Sequence, residues 1–296
     1  MRWARFQVMR SIEETITRLS EEQGQARVVA GGTDLLIQLM EEGQEEALTL
    51  LDISQIDEIR GITESEGFLL IGASTTIAEL SFSELIWKKA RALSQGARSL
   101  GSPQIRNVAT IGGNVVNAQP AADTSVPLIA LGAEAKIVSS KGERWVLVED
   151  LFQGVGISRV NPFREVLTHF KIKIYEPPRR ASTMERLSKR KAFTLPTLSV
   201  ALSVELDENL NYFSEVRIVV APVAPIPWRA RRAEEALKNT AIIRANLNNA
   251  ATLAKEEVHP RESLRGGIEY RKDMVEVLTK RALLNVLSLI NKEPHD

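Results

Sequence analysis

A short apolar stretch that ends in two glycines and leads into a helical pattern is the feature that most restricts how this chain folds. Residues 27–30 are typical of a short buried strand, and residues 31–34, Gly-Gly-Thr-Asp, are typical of a tight turn. A helix then begins over residues 35–40, with Thr33 or Asp34 as its cap. The flanking patterns predict a helix at 11–22, which starts with the capping box Ser11 and Glu14, and a strand at 48–53. Residues 1–55 are therefore predicted to form a compact α/β unit.

The rest of the chain changes its pattern at residues 177–180, Pro-Pro-Arg-Arg. Before this point we predict strands at 68–73 and 166–174, a helix at 84–99, and a hairpin formed by 134–139 and 143–148. After it we predict antiparallel strands at 198–206 and 216–220 and helices at 228–238, 242–257 and 270–289. The fold class is α+β, with a first domain at 1–177 (subdomains about 1–55 and 56–177) and a smaller α+β domain at 178–296.

Charge and cysteine content exclude several classes of function. Lys plus Arg and Asp plus Glu both number 38, so no global field attracts nucleic acid or an anionic membrane. No apolar run approaches the roughly 18 residues of a membrane helix, and no secretory signal is visible, which predicts a cytoplasmic protein. The absence of cysteine excludes disulfides, zinc-thiolate sites and any iron–sulfur cluster held by this chain alone. A redox function would therefore require an organic cofactor held without a covalent bond.

A second glycine pair, in Thr110-Ile111-Gly112-Gly113-Asn114, adds a possible ligand site. A diphosphate needs several N–H donors within hydrogen-bond distance, and glycine lets the backbone approach closely or adopt a positive φ. The helix after Thr33 would add a partial positive charge, and hydroxyl and amide side chains at Thr33, Thr110 and Asn114 would add contacts. Neither pair matches the Rossmann fingerprint or the P-loop, so from the residues alone a purely structural role for both turns stays open.

Four segments together resemble one family. They are AGGTDLL at residues 30–36, ATIGGN at 109–114, the stretch 217–230 (RIVVAPVAPIPWRA), and EYRK at 269–272. Over nearly the whole chain they resemble the FAD-binding (medium) subunit of the xanthine dehydrogenase and carbon monoxide dehydrogenase (molybdenum hydroxylase) family. The resemblance implies a two-lobed FAD-binding domain of the vanillyl-alcohol oxidase and p-cresol methylhydroxylase type, followed by a smaller domain with an antiparallel sheet and helices.

The resemblance also implies a set of FAD-binding residues. The diphosphate would be wrapped from one side by Val29, Ala30, Gly31, Gly32, Thr33, Asp34 and Leu35, and from the other by Thr110, Gly112, Gly113 and Asn114. Asp123, Leu100, Leu167 and Arg186 would lie toward the cofactor. Other roles stay open for these four: a helix N-cap for Asp123, core packing for Leu100 and Leu167, and a solvated charge for Arg186, in a basic run (185–191) that could face a partner. Met184 stands close to the position where some relatives place an aromatic ring over the flavin.

The function that the resemblance implies is electron transfer rather than substrate chemistry. The chain would carry FAD, receive electrons from a small subunit with [2Fe-2S] clusters, and release them to an external acceptor such as NAD. The substrate would react at the molybdenum cofactor of a large subunit, so no catalytic acid or base and no metal ligand is predicted in this chain. Two alternatives are a stand-alone flavin oxidoreductase of the same fold and a non-enzymatic binding module.

Overall fold

The N-terminal unit is a small parallel sheet with two helices. The computed structural model describes residues 3–41, 48–174, 179–190, 194–262 and 266–295. The elements of this unit are β1 (Trp3–Val8), α1 (Ile12–Glu21), β2 (Ala26–Val29), α2 (Leu35–Glu41) and β3 (Leu48–Asp52), with strand order β1-β3-β2. The Ser11 hydroxyl caps α1 by accepting from the Glu14 N–H. The helices and strands predicted for this part of the chain are confirmed, within one or two residues at their ends.

A second unit combines six short helices with a five-stranded antiparallel sheet. Its elements are β4 (Ile62–Ser65), β5 (Phe68–Gly72), α3 (Ile77–Phe82), α4 (Glu84–Lys89), α5 (Arg91–Ser99), α6 (Pro103–Val108), α7 (Ile111–Val116), α8 (Ser125–Ala130), β6 (Glu134–Ser139), β7 (Gly142–Leu147), β8 (Phe152–Gly154), β9 (Ile157–Ser158) and β10 (Glu165–Lys173). The strand order is β4-β5-β10-β6-β7, and β8 and β9 form a separate pair. The predicted strand near 166–174 and the hairpin at 134–148 are confirmed.

The single helix predicted at 84–99 is wrong, because it breaks at Ala90. Ala90 has φ −142° and ψ 55° and is fully buried. The chain then restarts as α5, whose Ala92 N–H donates to the Ser182 hydroxyl of a C-terminal strand. The break is therefore stabilised by a contact between distant segments, and the local pattern of apolar residues does not predict it.

The C-terminal part is a four-stranded antiparallel sheet covered by helices. Its elements are β11 (Arg180–Leu187), β12 (Leu198–Leu206), β13 (Phe213–Ala221), β14 (Trp228–Arg229), α9 (Arg231–Leu237), α10 (Arg244–Glu256) and α11 (Ile268–Ser288), with strand order β11-β12-β13-β14. The predicted strands at 198–206 and 216–220 are confirmed as an antiparallel pair. The helix predicted at 228–238 begins later, at Arg231, because Trp228 and Arg229 pair with β13 as an edge strand.

The C-terminal sheet is buried on both faces. On one face, Ala201 and Val219 join the main apolar core of the second unit. On the other, Val200 and Leu202 pack with α10 and α11 in a separate core. The predicted domain boundary falls at Pro177 and Pro178, which lie outside the described residues, so the division at 177/178 stays a prediction.

Within the described part of the chain, no helix combines the length and the apolar character needed to cross a bilayer.

Candidate functional site

A cleft of about 980 Å³ brings the two glycine segments together with the C-terminal part of the chain. It has the size typical of a small-molecule or cofactor site. Every residue predicted to bind the cofactor lines this cleft, with the exception of Arg186. The predicted residues in the lining are Val29, Ala30, Gly31, Gly32, Thr33, Asp34, Leu35, Leu100, Thr110, Gly112, Gly113, Asn114, Asp123 and Leu167.

The two glycine segments contact each other directly, and Gly31 makes this contact possible. A Cβ at Gly31 would lie 2.1 Å from the Val108 carbonyl oxygen and 2.8 Å from the Ala109 Cα. The Gln38 amide of α2 also donates to the Asn117 Oδ1 at 3.1 Å, which joins the two segments a second time. Both segments therefore form one continuous wall of the cleft.

The first segment supplies backbone donors. Gly32 has φ +66°, a conformation that L side chains rarely adopt. The chain turns there before α2, and the Leu36 N–H is the first in this turn to reach an acceptor, the Gly32 carbonyl, at 3.1 Å. The N–H groups of residues 31–35 donate to no other described residue. They are thus available to an anionic ligand in the cleft.

The second segment contains the first turn of helix α7, and the backbone N–H groups of residues 111–114 are already used. The Thr110 hydroxyl accepts from the Gly113 N–H at 3.1 Å, and the Gly112 N–H donates to the Ala73 carbonyl at 2.9 Å. Gly112 is required for packing, since its Cβ would lie 2.7 Å from the Ala73 Cβ. The expectation that both turns offer backbone amides therefore fits the first turn and not the second.

Side chains provide the donors of the second segment instead. The Thr110 hydroxyl proton stays available while its oxygen accepts from Gly113. The Asn114 Oδ1 accepts from the N–H and the hydroxyl of Thr124, and the Asn114 Nδ2 has no acceptor among the described residues. Gly113 is exposed to the cleft, and the atom nearest to an added Cβ would be the Thr110 Oγ1 at 3.1 Å.

Asp123 carries a buried carboxylate into the cleft wall. The residue is 6% exposed, and its Oδ1 accepts from the Arg186 Nε at 3.1 Å and from the Ser99 hydroxyl at 3.2 Å. Burial raises the pKa of Asp123 above its ordinary value, and Arg186 and Ser99 oppose this effect without cancelling it. The residue at the N-cap position of α8 is Thr124, so the N-cap alternative for Asp123 is not what the structure shows.

Arg186 stands behind Asp123 and does not line the cleft itself. Its side chain is 12% exposed and also donates to the Ser188 hydroxyl and the Thr194 carbonyl. The solvated-charge interpretation of Arg186 is therefore wrong, because three acceptors hold the guanidinium inside the fold. Lys191, at the end of the predicted basic run, lies outside the described residues.

The remaining predicted residues are apolar. Leu167 is buried in β10 next to an irregularity in the pairing with β6, and Leu100 is half-buried at the end of α5. Both face the cleft and pack against the main core, so a cofactor contact and core packing are compatible for each. Met184 is buried in the main core and is absent from the cleft wall.

Sequence reasoning missed the C-terminal wall of the cleft. Residues 222–225 (Pro-Val-Ala-Pro), Thr197, His259, Arg261 and Arg271 all line it. Arg271 belongs to the segment 269–272 that was singled out above, but no spacing in the sequence connects it with the glycine turns. The link exists only because α11 packs on β11 and β12, beside the cleft.

Comparison with known proteins agrees with this geometry over both parts of the chain. Residues 4–172 match the FAD binding domain in molybdopterin dehydrogenase, and residues 185–286 match the CO dehydrogenase flavoprotein C-terminal domain. The chain belongs to this family of FAD-binding flavoproteins. The xanthine dehydrogenase FAD-binding subunit of Escherichia coli is 33% identical over 90% of both chains. The carbon monoxide dehydrogenase medium chain of Afipia carboxidovorans is 30% identical over 93% of both.

A solved structure supports the same assignment at the level of the fold. Carbon monoxide dehydrogenase from Hydrogenophaga pseudoflava superposes with a TM-score of 0.90 at 27% identity, covering 98% of this chain and 99% of that one. The predicted family and the α+β fold class are thereby confirmed, and the chain is an oxidoreductase flavoprotein component whose family cofactor is FAD.

The residues of the cleft fit this cofactor. Residues 31–35 offer unused backbone N–H groups, and Thr110 and Asn114 offer unused side-chain donors. Gly113 leaves space where a side chain would intrude, and Gly32 allows the positive φ of the first turn. Arg271, on the C-terminal wall, has two buried nitrogens without an acceptor among the described residues. A ligand rich in acceptor atoms would satisfy donors on both walls.

Proposed function

We propose that this flavoprotein is the FAD-carrying electron-transfer subunit of a molybdenum hydroxylase complex. Its partners would be a large subunit with the molybdenum cofactor and a small subunit with [2Fe-2S] clusters, and it would pass electrons to an external acceptor such as NAD. The observation that carries the proposal is the single cleft wall formed by both glycine segments in a chain of this family. Bound FAD would supply the redox chemistry by accepting electrons and releasing them.

The residues of the N-terminal wall would hold the diphosphate. Residues 29–35 would line one side and donate the backbone N–H groups of residues 31–35, while Thr110 and Asn114 would donate from the other side through their side chains. Gly113 would keep this side of the cleft open, while Gly112 would preserve the packing against Ala73. Since the donors are fixed by the contact between Gly31 and Val108, little reorganisation would accompany binding.

The residues near Asp123 would orient the flavin end. The Asp123 Oδ2 makes none of the hydrogen bonds that hold Oδ1 and would accept from the cofactor. Arg186 would act through Asp123, holding the carboxylate in place. Leu100 and Leu167 would exclude water from the ring. We also propose that the chain divides near residue 177 into an FAD-binding domain and a C-terminal domain.

The test is a visible spectrum of the purified full chain, with cofactor release and mass analysis. FAD near one per chain is expected, together with co-purification of a molybdenum subunit and an iron–sulfur subunit. A chain that binds FAD but never associates with such subunits would favour a stand-alone flavin oxidoreductase. A colourless chain that also takes up no added FAD in the presence of its partners would refute the flavin assignment.

A further inference from the structure

Arg271 is the most unusual polar residue of the cleft. It is the fourth residue of α11, is only 3% exposed, and lines the C-terminal wall. Its Nη1 donates to the Pro222 carbonyl at 3.0 Å. Its Nε and Nη2 are buried and have no acceptor among the described residues.

A buried guanidinium with unused donors is unfavourable unless something else pairs with it. Burial lowers the pKa of Arg271, Arg261 lowers it further, and Glu262 acts in the opposite direction. Arginine nevertheless keeps its charge in proteins, so the cost of desolvation cannot be avoided by deprotonation. Such a group is retained where a ligand supplies the missing acceptors.

The position of Arg271 indicates which part of the cofactor supplies the missing acceptors. The diphosphate donors lie on the N-terminal wall, whereas Arg271 is joined to the apolar segment 222–225 on the C-terminal wall. A flat ring system packs well against Pro222 and Val223, and the flavin presents N1 and the C2 carbonyl as adjacent acceptors on one edge. A guanidinium fork matches two neighbouring acceptors.

We propose that Arg271 donates from Nε and Nη2 to the N1 and C2-carbonyl edge of the flavin. When the flavin takes up two electrons, negative charge gathers at this edge, and the guanidinium stabilises it. Arg271 therefore binds reduced FAD more tightly than oxidised FAD and raises the reduction potential. This inference rests on the proposed function, since it requires FAD in the cleft.

The experiment compares the full chain loaded with FAD as wild type, Arg271→Gln and Arg271→Lys. Arg281→Gln is the matched control, since Arg281 is exposed on the same helix. Three quantities are measured: the dissociation constant of oxidised FAD, the two-electron midpoint potential, and the pKa of N1 in the reduced flavin from its absorbance. In Arg271→Gln we expect the preference for reduced over oxidised FAD to fall about tenfold, which lowers the two-electron midpoint potential by about 30 mV. We also expect the pKa of N1 in the reduced flavin to rise. Arg271→Lys is expected to restore part of both shifts, and Arg281→Gln to show neither.

Several results would overturn the inference and leave the proposed function intact. A weaker affinity for FAD and for ADP with an unchanged potential would place Arg271 on the diphosphate. An unchanged potential and affinity with a lower melting temperature would make it purely structural. If both variants fail to fold, the wild type decides, because an N1 pKa at or above that of free FAD contradicts a nearby guanidinium. A wild-type chain that binds no FAD would refute the proposed function itself.

Discussion

At the scale of single residues, the four glycines of the two glycine segments have different structural roles. Gly31 and Gly112 allow two segments of backbone to meet, while Gly32 allows a positive φ. Gly113 alone of these four has neither constraint, because it faces the cleft and the only atom near its missing Cβ is the Thr110 Oγ1. Their roles in folding and in binding can therefore be separated by substitution.

We predict that Gly31→Ala and Gly113→Ala fail in different ways. The Cβ of Gly31→Ala meets the Val108 carbonyl at 2.1 Å, so the free energy of unfolding should fall by about 2 kcal/mol or more. Gly113→Ala adds a good helix former inside α7 and should leave stability within about 1 kcal/mol of wild type. Its methyl group enters the cleft, so FAD affinity should drop at least about tenfold. Urea unfolding and FAD titration measure the two effects, and equal FAD affinity in wild type and Gly113→Ala would contradict the assigned role.

The ion pair between Asp123 and Arg186 gives a second residue-scale prediction. Arg186→Gln leaves the buried carboxylate without its cation and should lower the free energy of unfolding by about 3 kcal/mol. Asp123→Asn in the same chain should recover part of this loss, because no buried charge is then unpaired. Additive effects of the two substitutions would rule out the coupling, and Lys189→Gln, exposed in the same basic run, serves as the control.

The same pair has a pH dependence with a defined sign. The pKa of Asp123 is raised in the folded state by burial, so the folded chain binds this proton more tightly than the unfolded chain. The stability that protonated Asp123 contributes is present at acid pH and is lost as the pH rises through the pKa of Asp123 in the folded state. Without Arg186 the pKa rises further, so the deficit of Arg186→Gln should be larger at pH 8 than at pH 5, as measured by urea unfolding at both values.

At the scale of elements, the start of α3 supports the second glycine segment. Thr76 and Glu79 form a reciprocal capping box, and Thr76 also pairs with Thr110 in an isolated β-bridge. Burial opposes the ionisation of Glu79, but hydrogen bonds from Thr76 and Arg60 outweigh it and lower the pKa below 4.5. The cap therefore contributes stability above pH 4.5, which is lost as the pH falls through the lowered pKa.

We predict that acid loosens this wall of the cleft through Glu79. Between pH 5 and pH 3 the wild type should lose stability that Glu79→Gln, which cannot titrate, does not lose. At pH 7 the substitution should cost about 1 kcal/mol, because the glutamine keeps only part of the cap. Thermal unfolding of both proteins across this range provides the measurement. Parallel pH profiles would show that the cap does not titrate with folding.

At the scale of the whole molecule, the main apolar core crosses the predicted domain boundary. Met184, Ala201 and Val219 of the C-terminal sheet share it with Leu69 and Ile71 of β5. We predict that the two parts unfold together, so that amide hydrogens of Leu69 and Leu202 exchange with the same global free energy. Hydrogen exchange read residue by residue tests this. Clearly different exchange free energies for β5 and β12 would show two independent folding units.

Sequence patterns predicted the elements that depend on local signals, and they failed where distant contacts decide. The helix that starts at Ser11 follows from its capping box, and the strand at 166–174 follows from the alternation of apolar and polar residues. The break at Ala90 and the strand pairing of Trp228 depend on segments far along the chain. The same distinction holds for the candidate site. The resemblance predicted the glycine turns, whereas Arg271 could not be predicted because it lines the cleft only through the packing of α11.

The contact between Gly31 and the Val108 carbonyl also has a consequence for biogenesis. The two glycine segments are separated in the chain by the whole of β3, β4, β5 and α3 to α5, so they meet only after these elements have folded together. In a nascent or partly folded chain the first glycine segment is not in contact with the second, so this wall of the cleft is incomplete. We therefore expect FAD to bind only after these elements have folded, so that a partly folded chain carries no flavin.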